Sequence, residues 1–206
     1  MLAVSKTWPA ARIVDAFNAG QRAFGENHEQ EAMRKVAELA HLAIEWHFIG
    51  PLQSNKTRPI AEHFAWVHSL DREKVARRLA EQRPQEAPPL MVCVQVNVSG
   101  EATKSGVLPA QTAALARYVS SLPRLKLRGL MTIPAPSSDP TRQTRPFRLL
   151  HDLYLELNSQ GFALDTLSMG MSADLEAAIT EGATLVRVGT AIFGQRPRVQ
   201  TGFGNI

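Results

Sequence analysis

Residues 90–133 read LMVCVQVNVSGEATKSGVLPAQTAALARYVSSLPRLKLRGLMTI. The segment opens on an apolar strand pattern, LMVCVQVNVS at 90–99, and closes on a second, LKLRGLMTI at 125–133. Between them, 109–121 has the apolar spacing of an amphipathic helix. Strand, helix and strand in that order imply parallel pairing with a right-handed crossover. The alternation continues in both directions. Towards the start lie LAVSK at 2–6, RAFGEN at 22–27, EWHFIG at 45–50 and AWVHSL at 65–70; towards the end lie ALDTLS at 163–168 and TLVRVG at 184–189.

Helical patterns fill the intervals. The first begins near Pro9 and closes at Gly20; the others lie at 29–40, 53–63, 71–83, 144–160 and 173–181. Eight strand patterns predict a (β/α)8 TIM barrel. An open Rossmann-like sheet is the competing architecture, weakened because no GxGxxG follows the first strand. APPL at 87–90 and PAPSSDP at 134–140 read as loops, so residues 1–206 are expected to form one domain, with about 197–206 as a tail. The chain opens directly on its first strand, so the outer ring is expected to be one helix short, leaving a gap that calls for cover.

Composition narrows the class. Of 206 residues, 44 % are hydrophobic and 20 % charged, ordinary proportions for a globular protein. No apolar run reaches the ~18–20 residues of a membrane span, and the N-terminus lacks the pattern of a signal peptide. Cys93 is the one cysteine, which excludes an internal disulfide and fits a reducing cytoplasm. The net charge of +4 permits an anionic partner. Basic residues are interleaved with acids, however, and no basic groove studded with aromatics marks nucleic-acid binding. HEQEA at 28–32 has alanine where HExxH needs its second histidine; neither a GxSxG elbow nor a P-loop is present.

Polar residues gather after the strands, on the face where such barrels carry function. Lys6 ends the first strand; partial desolvation there makes its amine available for imine formation, although a lysine salt-bridged at a strand end has the same spacing. Ser168-Met169-Gly170-Met171-Ser172-Ala173-Asp174 precedes the helical pattern LEAAITEG. Ser172 stands where an N-cap would, and a helix start with free N–H groups suits phosphate; a plain capping serine reads identically. Gly189 allows close backbone approach and Thr190 offers a hydroxyl. Arg187, among Leu185, Val186 and Val188, reads as a barrel-facing cation or as half of a structural ion pair. Glu26, Asn27, His47, Gln95, Asn97 and Met131 complete the candidates. Asn27 also reads as a cap, and His47, between Trp46 and Phe48, as a satisfied core histidine.

Taken together, LAVSKTWP, FGENHEQEA, EWHFIGPLQSNKTR, VNVSGEATKSG, LRGLMTIPAP, LSMGMSADLEAAI and VRVGTAIFGQR closely resemble the YggS/PROSC family of pyridoxal phosphate homeostasis proteins. The resemblance runs from residue 2 to about 196. It implies a fold-type-III barrel like the N-terminal domain of alanine racemase. It also implies a Schiff base between pyridoxal 5′-phosphate and Lys6, Ser172, Gly189 and Thr190 at the phosphate, and Arg187 at the pyridine nitrogen. Asn27, His47, Met131 and Ser168 lie in motifs that line the pocket. Family members carry a helix before the SKT strand, which this sequence lacks. The implied role is cofactor buffering or delivery in the cytoplasm by a monomer without a conventional reaction, with apo-enzymes as recipients.

The alternative is a pyridoxal-phosphate-dependent racemase. That activity needs a second proton-transfer base, usually tyrosine, and a further β domain. Tyr118 and Tyr154 both fall inside helical patterns away from strand ends, and eight strand–helix units leave no length for another domain.

Overall fold

In the computed structural model, residues 1–101, 103–137 and 139–195 are described. The expected alternation is present. Strands β1 (Leu2–Val4), β2 (Ala23–Glu26), β3 (Glu45–Phe48), β4 (Trp66–Leu70), β5 (Leu90–Gln95), β6 (Leu125–Met131), β7 (Thr166–Ser168) and β8 (Arg187–Val188) form one sheet. Its order is β7-β6-β5-β4-β3-β2-β1-β8, with parallel pairing throughout. A parallel bridge from Ser168 to Leu185 and hydrogen bonds such as Arg187 N to Gly170 O, 3.0 Å, bring β7 against β8 and close the ring. The open-sheet alternative is therefore excluded. The tail expected at about 197–206 lies outside the described residues.

Helices α1 (Ala10–Asn18), α2 (Glu29–Glu38), α3 (Thr57–His63), α4 (Glu73–Gln82), α5 (Thr112–Ser121), α6 (Pro140–Ser159) and α7 (Leu175–Thr180) follow the first seven strands in turn, α4 preceding β5 and α5 preceding β6. After β8 comes one turn, α8 (Thr190–Phe193). α6 starts four residues before its expected boundary. Pro140 suits the first helical position, and the Asp139 carboxylate accepts hydrogen bonds from Thr141 N and Arg142 N.

The apolar residues divide into two cores. The larger lies between strands and helices and includes Phe24, Phe48, Phe64, Leu79 and Phe147. The smaller fills the barrel interior with Trp66, Cys93 and Met131. Period-two alternation decides which strand residues face which core. Val4 and Lys6 both line the barrel mouth, whereas Ser5 points to the helix layer, its hydroxyl donating to Glu26 of β2 and its carbonyl accepting from Lys35 of α2.

Candidate functional site

At the C-terminal ends of the strands a cavity of about 190 Å³ opens, walled from β1, β2, β3, β6, β7, β8 and the loops after them. Six of the expected residues meet on this wall: Lys6, Asn27, Ser172, Arg187, Gly189 and Thr190. Trp8, Ile49, Ile133 and Met171 add apolar surface that the sequence did not single out. Trp8 is held by stacking on Phe193, ring centroids 5.9 Å apart.

The segment carrying Lys6 is tied to α2. Lys35 Nζ donates to Ser5 O at 2.8 Å, to Glu26 Oε1 at 2.8 Å and to Glu31 Oε1 at 2.6 Å. Ser5 Oγ donates to Glu26 Oε1 at 2.6 Å, and Thr7 N to Glu31 Oε1 at 2.5 Å. Thr7 has φ +69°, a left-handed conformation unusual for a β-branched residue. Glu26, expected at the mouth, is fully buried behind it, because its neighbour Asn27 takes the mouth-facing side. Burial raises the Glu26 carboxyl above the ordinary range and outweighs the attraction of Lys35. For Glu31 burial pushes upward too, but the bonds from Lys35 and Thr7 win and hold it low.

Arg187 is the second charged group on the wall. It is 3 % exposed; Nη2 donates to Thr132 O at 2.8 Å, while Nε and Nη1 are buried without a hydrogen-bond partner among the described residues. Among the described residues the ion-pair reading finds no carboxylate within salt-bridge distance of Arg187. Burial lowers the guanidinium to about 10, so it remains cationic at neutral pH. A buried cation with two idle donors calls for an acceptor.

The loop after β7 departs from expectation in one detail. Ser172 is exposed on a turn and is not the N-cap; Asp174 is, with α7 beginning at Leu175. The chain turns there because Asp174 Oδ1 accepts from Met171 N at 2.6 Å and Asp174 N donates to Met171 O at 3.1 Å. Gly170, at φ +91°, is required, since a Cβ would stand 2.5 Å from the Ala178 Cβ. Gly189 precedes α8, whose Ile192 and Phe193 amides return to Gly189 O and leave those of Thr190 and Ala191 outside the helical bonding.

His47, Met131 and Ser168 are placed elsewhere. Met131 belongs to the interior core, and His47 stacks on Trp66 at 5.4 Å. His47 Nε2 bonds to Glu45 Oε1 at 2.8 Å and Nδ1 to His68 Nε2 at 2.9 Å; His68 Nδ1 bonds to Ser168 Oγ at 2.8 Å. These residues pack the barrel below the cavity and do not appear on its wall. Gln95 and Asn97 brace the loop after β5 through bonds to the carbonyls of Ser105, Glu101 and Lys104. No group of three or more potential metal ligands occurs among the described residues.

Residues 1–197 match the family described as alanine racemase, N-terminal domain. The pyridoxal phosphate homeostasis protein of Pseudomonas aeruginosa is 63 % identical over 196 residues, covering 95 % of this chain and 84 % of that protein. The chain belongs to the YggS/PROSC family. The Escherichia coli K12 pyridoxal phosphate homeostasis protein is 54 % identical over 199 residues, covering 95 % and 85 %. Among solved structures, PipY of Synechococcus elongatus with pyridoxal phosphate bound superposes with TM-score 0.85 at 41 % identity, over 94 % of this chain and 92 % of that one. Alanine racemase from Corynebacterium glutamicum, 18 % identical with TM-score 0.71 and 56 % of its chain covered, shares the YggS/PROSC barrel fold.

Proposed function

We propose that this chain binds pyridoxal 5′-phosphate as a Schiff base on Lys6 and buffers or delivers it as a monomer in the cytoplasm, without a conventional reaction. The observation carrying this reading is one cavity that joins a lysine amine to a buried arginine with two unused donors. The names of the relatives and the cofactor-bound PipY structure support it.

Bound pyridoxal phosphate supplies an aldehyde. Lys6 would supply the amine that holds this aldehyde. Ser172, Thr190 and the amides around Gly189 receive the phosphate, whose charge suits free N–H groups. Asn27 orients the ring from the side. Arg187 would hold the ring nitrogen and could not readily give it a proton, because guanidinium keeps its charge. Such a partner limits electron withdrawal by the ring, which favours holding the cofactor over using it. Lys6 and Arg187 are the titratable side chains on the described wall. Tyr154 spends its hydroxyl on Leu164 O at 2.9 Å, far from the role of a second base. His47, Met131 and Ser168 support the floor, and the recipients of the cofactor are apo-enzymes that use it.

The test is borohydride reduction of the protein loaded with pyridoxal phosphate, followed by peptide mass mapping. The adduct is expected on Lys6 and absent from Lys6→Ala, with the variant still folded by circular dichroism. A reduced adduct on another lysine in the wild type sinks the assignment.

A further inference from the structure

We propose that Lys35 is the positioning residue for Lys6, acting through Glu31 and Glu26 to set how firmly that amine holds an aldehyde. The proposal rests on the reading of Lys6 given above and deepens it.

The anchoring is two-sided. On one side of Lys6, the Ser5 carbonyl accepts directly from Lys35, and the Ser5 hydroxyl is held by the carboxylate of Glu26 that Lys35 also grips. On the other side, the Thr7 amide is held by Glu31, the third acceptor of the same ammonium. All three donors of Lys35 are thus spent on groups that flank Lys6 or hold its flanks. Ser5, Glu26 and Lys35 are buried, so water does not compete for these bonds.

Thr7 gives the arrangement its consequence. A β-branched residue at φ +69° relaxes unless its surroundings hold it, and its amide bond to Glu31 is what holds it. Release of that bond lets the chain immediately after Lys6 swing, and the amine at the end of a flexible four-carbon stem moves with it. A loss of positioning at an attacking atom weakens bond formation even where the fold survives.

Charge acts in the same place. Glu26 and Glu31 set two carboxylates against the one ammonium of Lys35, and Glu26 Oε2 is buried without a hydrogen-bond partner among the described residues. The surplus negative charge favours a protonated nitrogen on the neighbouring Lys6 segment. His28 is the further titratable group acting on Glu31.

The experiment uses the full chain loaded with pyridoxal phosphate, comparing wild type, Glu31→Gln, Lys35→Met and Lys35→Arg. Three quantities are read: the pH midpoint of the protein-bound absorption band, the equilibrium dissociation constant, and the melting temperature without cofactor. Glu31→Gln is expected to keep its melting temperature and its reducible adduct on Lys6, while the band midpoint falls by about 0.5–1 unit and the dissociation constant rises about fivefold. Lys35→Met is expected to raise the dissociation constant further but to move the midpoint upward, because it removes the cation that offsets the two carboxylates, with partial recovery of both in Lys35→Arg. Should Lys35→Met fail to fold, Glu31→Gln decides, because the Glu31 side chain is 30 % exposed and its loss leaves the core intact. A folded, loaded Glu31→Gln with unchanged midpoint and affinity overturns the proposal. A wild type with no reducible adduct on Lys6 instead removes the reading beneath it, and the proposal goes too.

Discussion

Gly189 separates what the protein needs from what a ligand needs. A Cβ there would meet only Val4, at 3.5 Å from its carbonyl oxygen and 3.7 Å from its Cβ, which is ordinary contact. Its φ of −113° is also open to other residues. Packing within the protein therefore does not demand glycine. Gly189→Ala is expected to leave the melting temperature of the cofactor-free protein within about 2 °C of wild type, while weakening pyridoxal phosphate binding about tenfold, or ~1.4 kcal/mol. Unchanged affinity, measured by fluorescence titration, would remove the phosphate from this spot. Lys6, Asn27, Ser172, Arg187, Gly189 and Thr190 were legible because each stands just after a strand or at its last positions. Lys35 was not, since two of its three partners lie 30 and 9 residues away in sequence. A signal did exist: Lys35 interrupts the stripe Ala32, Val36 and Leu39, where a lysine on the packed face of a helix must have a buried partner. His47 and Met131 were read at the mouth because period two gives the face of a strand but not the height along the barrel.

At the scale of elements, boundaries were set by side chains that periodicity does not weigh. α6 begins at Pro140 because Asp139 satisfies two of its first amides. Asp139→Ala is accordingly expected to lower stability by about 0.5–2 kcal/mol, read as a shift in the urea midpoint with no change in slope, and to leave cofactor binding intact. A midpoint equal to wild type would mean the first turn frays in both proteins. The loop after β7 shows the converse case. Serine and aspartate two positions apart, Ser172 and Asp174, both qualify as caps by residue type. Asp174 takes the position because its carboxylate folds back on Met171 N and shapes the turn. That leaves Ser172 on the cavity wall, so the mistaken cap and the serine lining the cavity arise from one local competition. β8 illustrates a third limit: only Arg187 and Val188 keep ladder geometry out of the apolar stretch at 184–189, since Leu185 already bridges to Ser168.

Taken as a whole, the barrel is held shut by an interior that is partly polar, and this gives its stability a pH dependence of definite sign. Glu45 Oε1 accepts from His47 Nε2, so a neutral His47 must accept through Nδ1 from His68 Nε2, and His68 in turn accepts through Nδ1 from Ser168 Oγ. With both imidazoles uncharged, every contact of this chain has one donor and one acceptor. Burial lowers both of them, His68 well below 6.5, and the nearby His47 and the Arg187 cation push His68 further in the same direction. The unfolded chain consequently takes up protons below about pH 6.5 that the folded chain refuses, and stability is lost as pH falls through that range, by up to ~1.4 kcal/mol per pH unit for each histidine. Glu26 acts oppositely, because its raised carboxyl lets the folded state bind a proton more readily than the unfolded one, with stability lost as pH rises through its folded value. A comparison with His68→Gln cancels that contribution, since the variant keeps Glu26 and its partners. Unfolding free energies from urea titrations at several values between about pH 6.5 and 5 are expected to fall less steeply in His68→Gln, by ~1.4 kcal/mol per unit, even though the variant is less stable at pH 7 for want of a hydrogen bond in the interior. Parallel slopes would show that His68 binds its proton equally in both states, and the neutral interior chain would then be wrong.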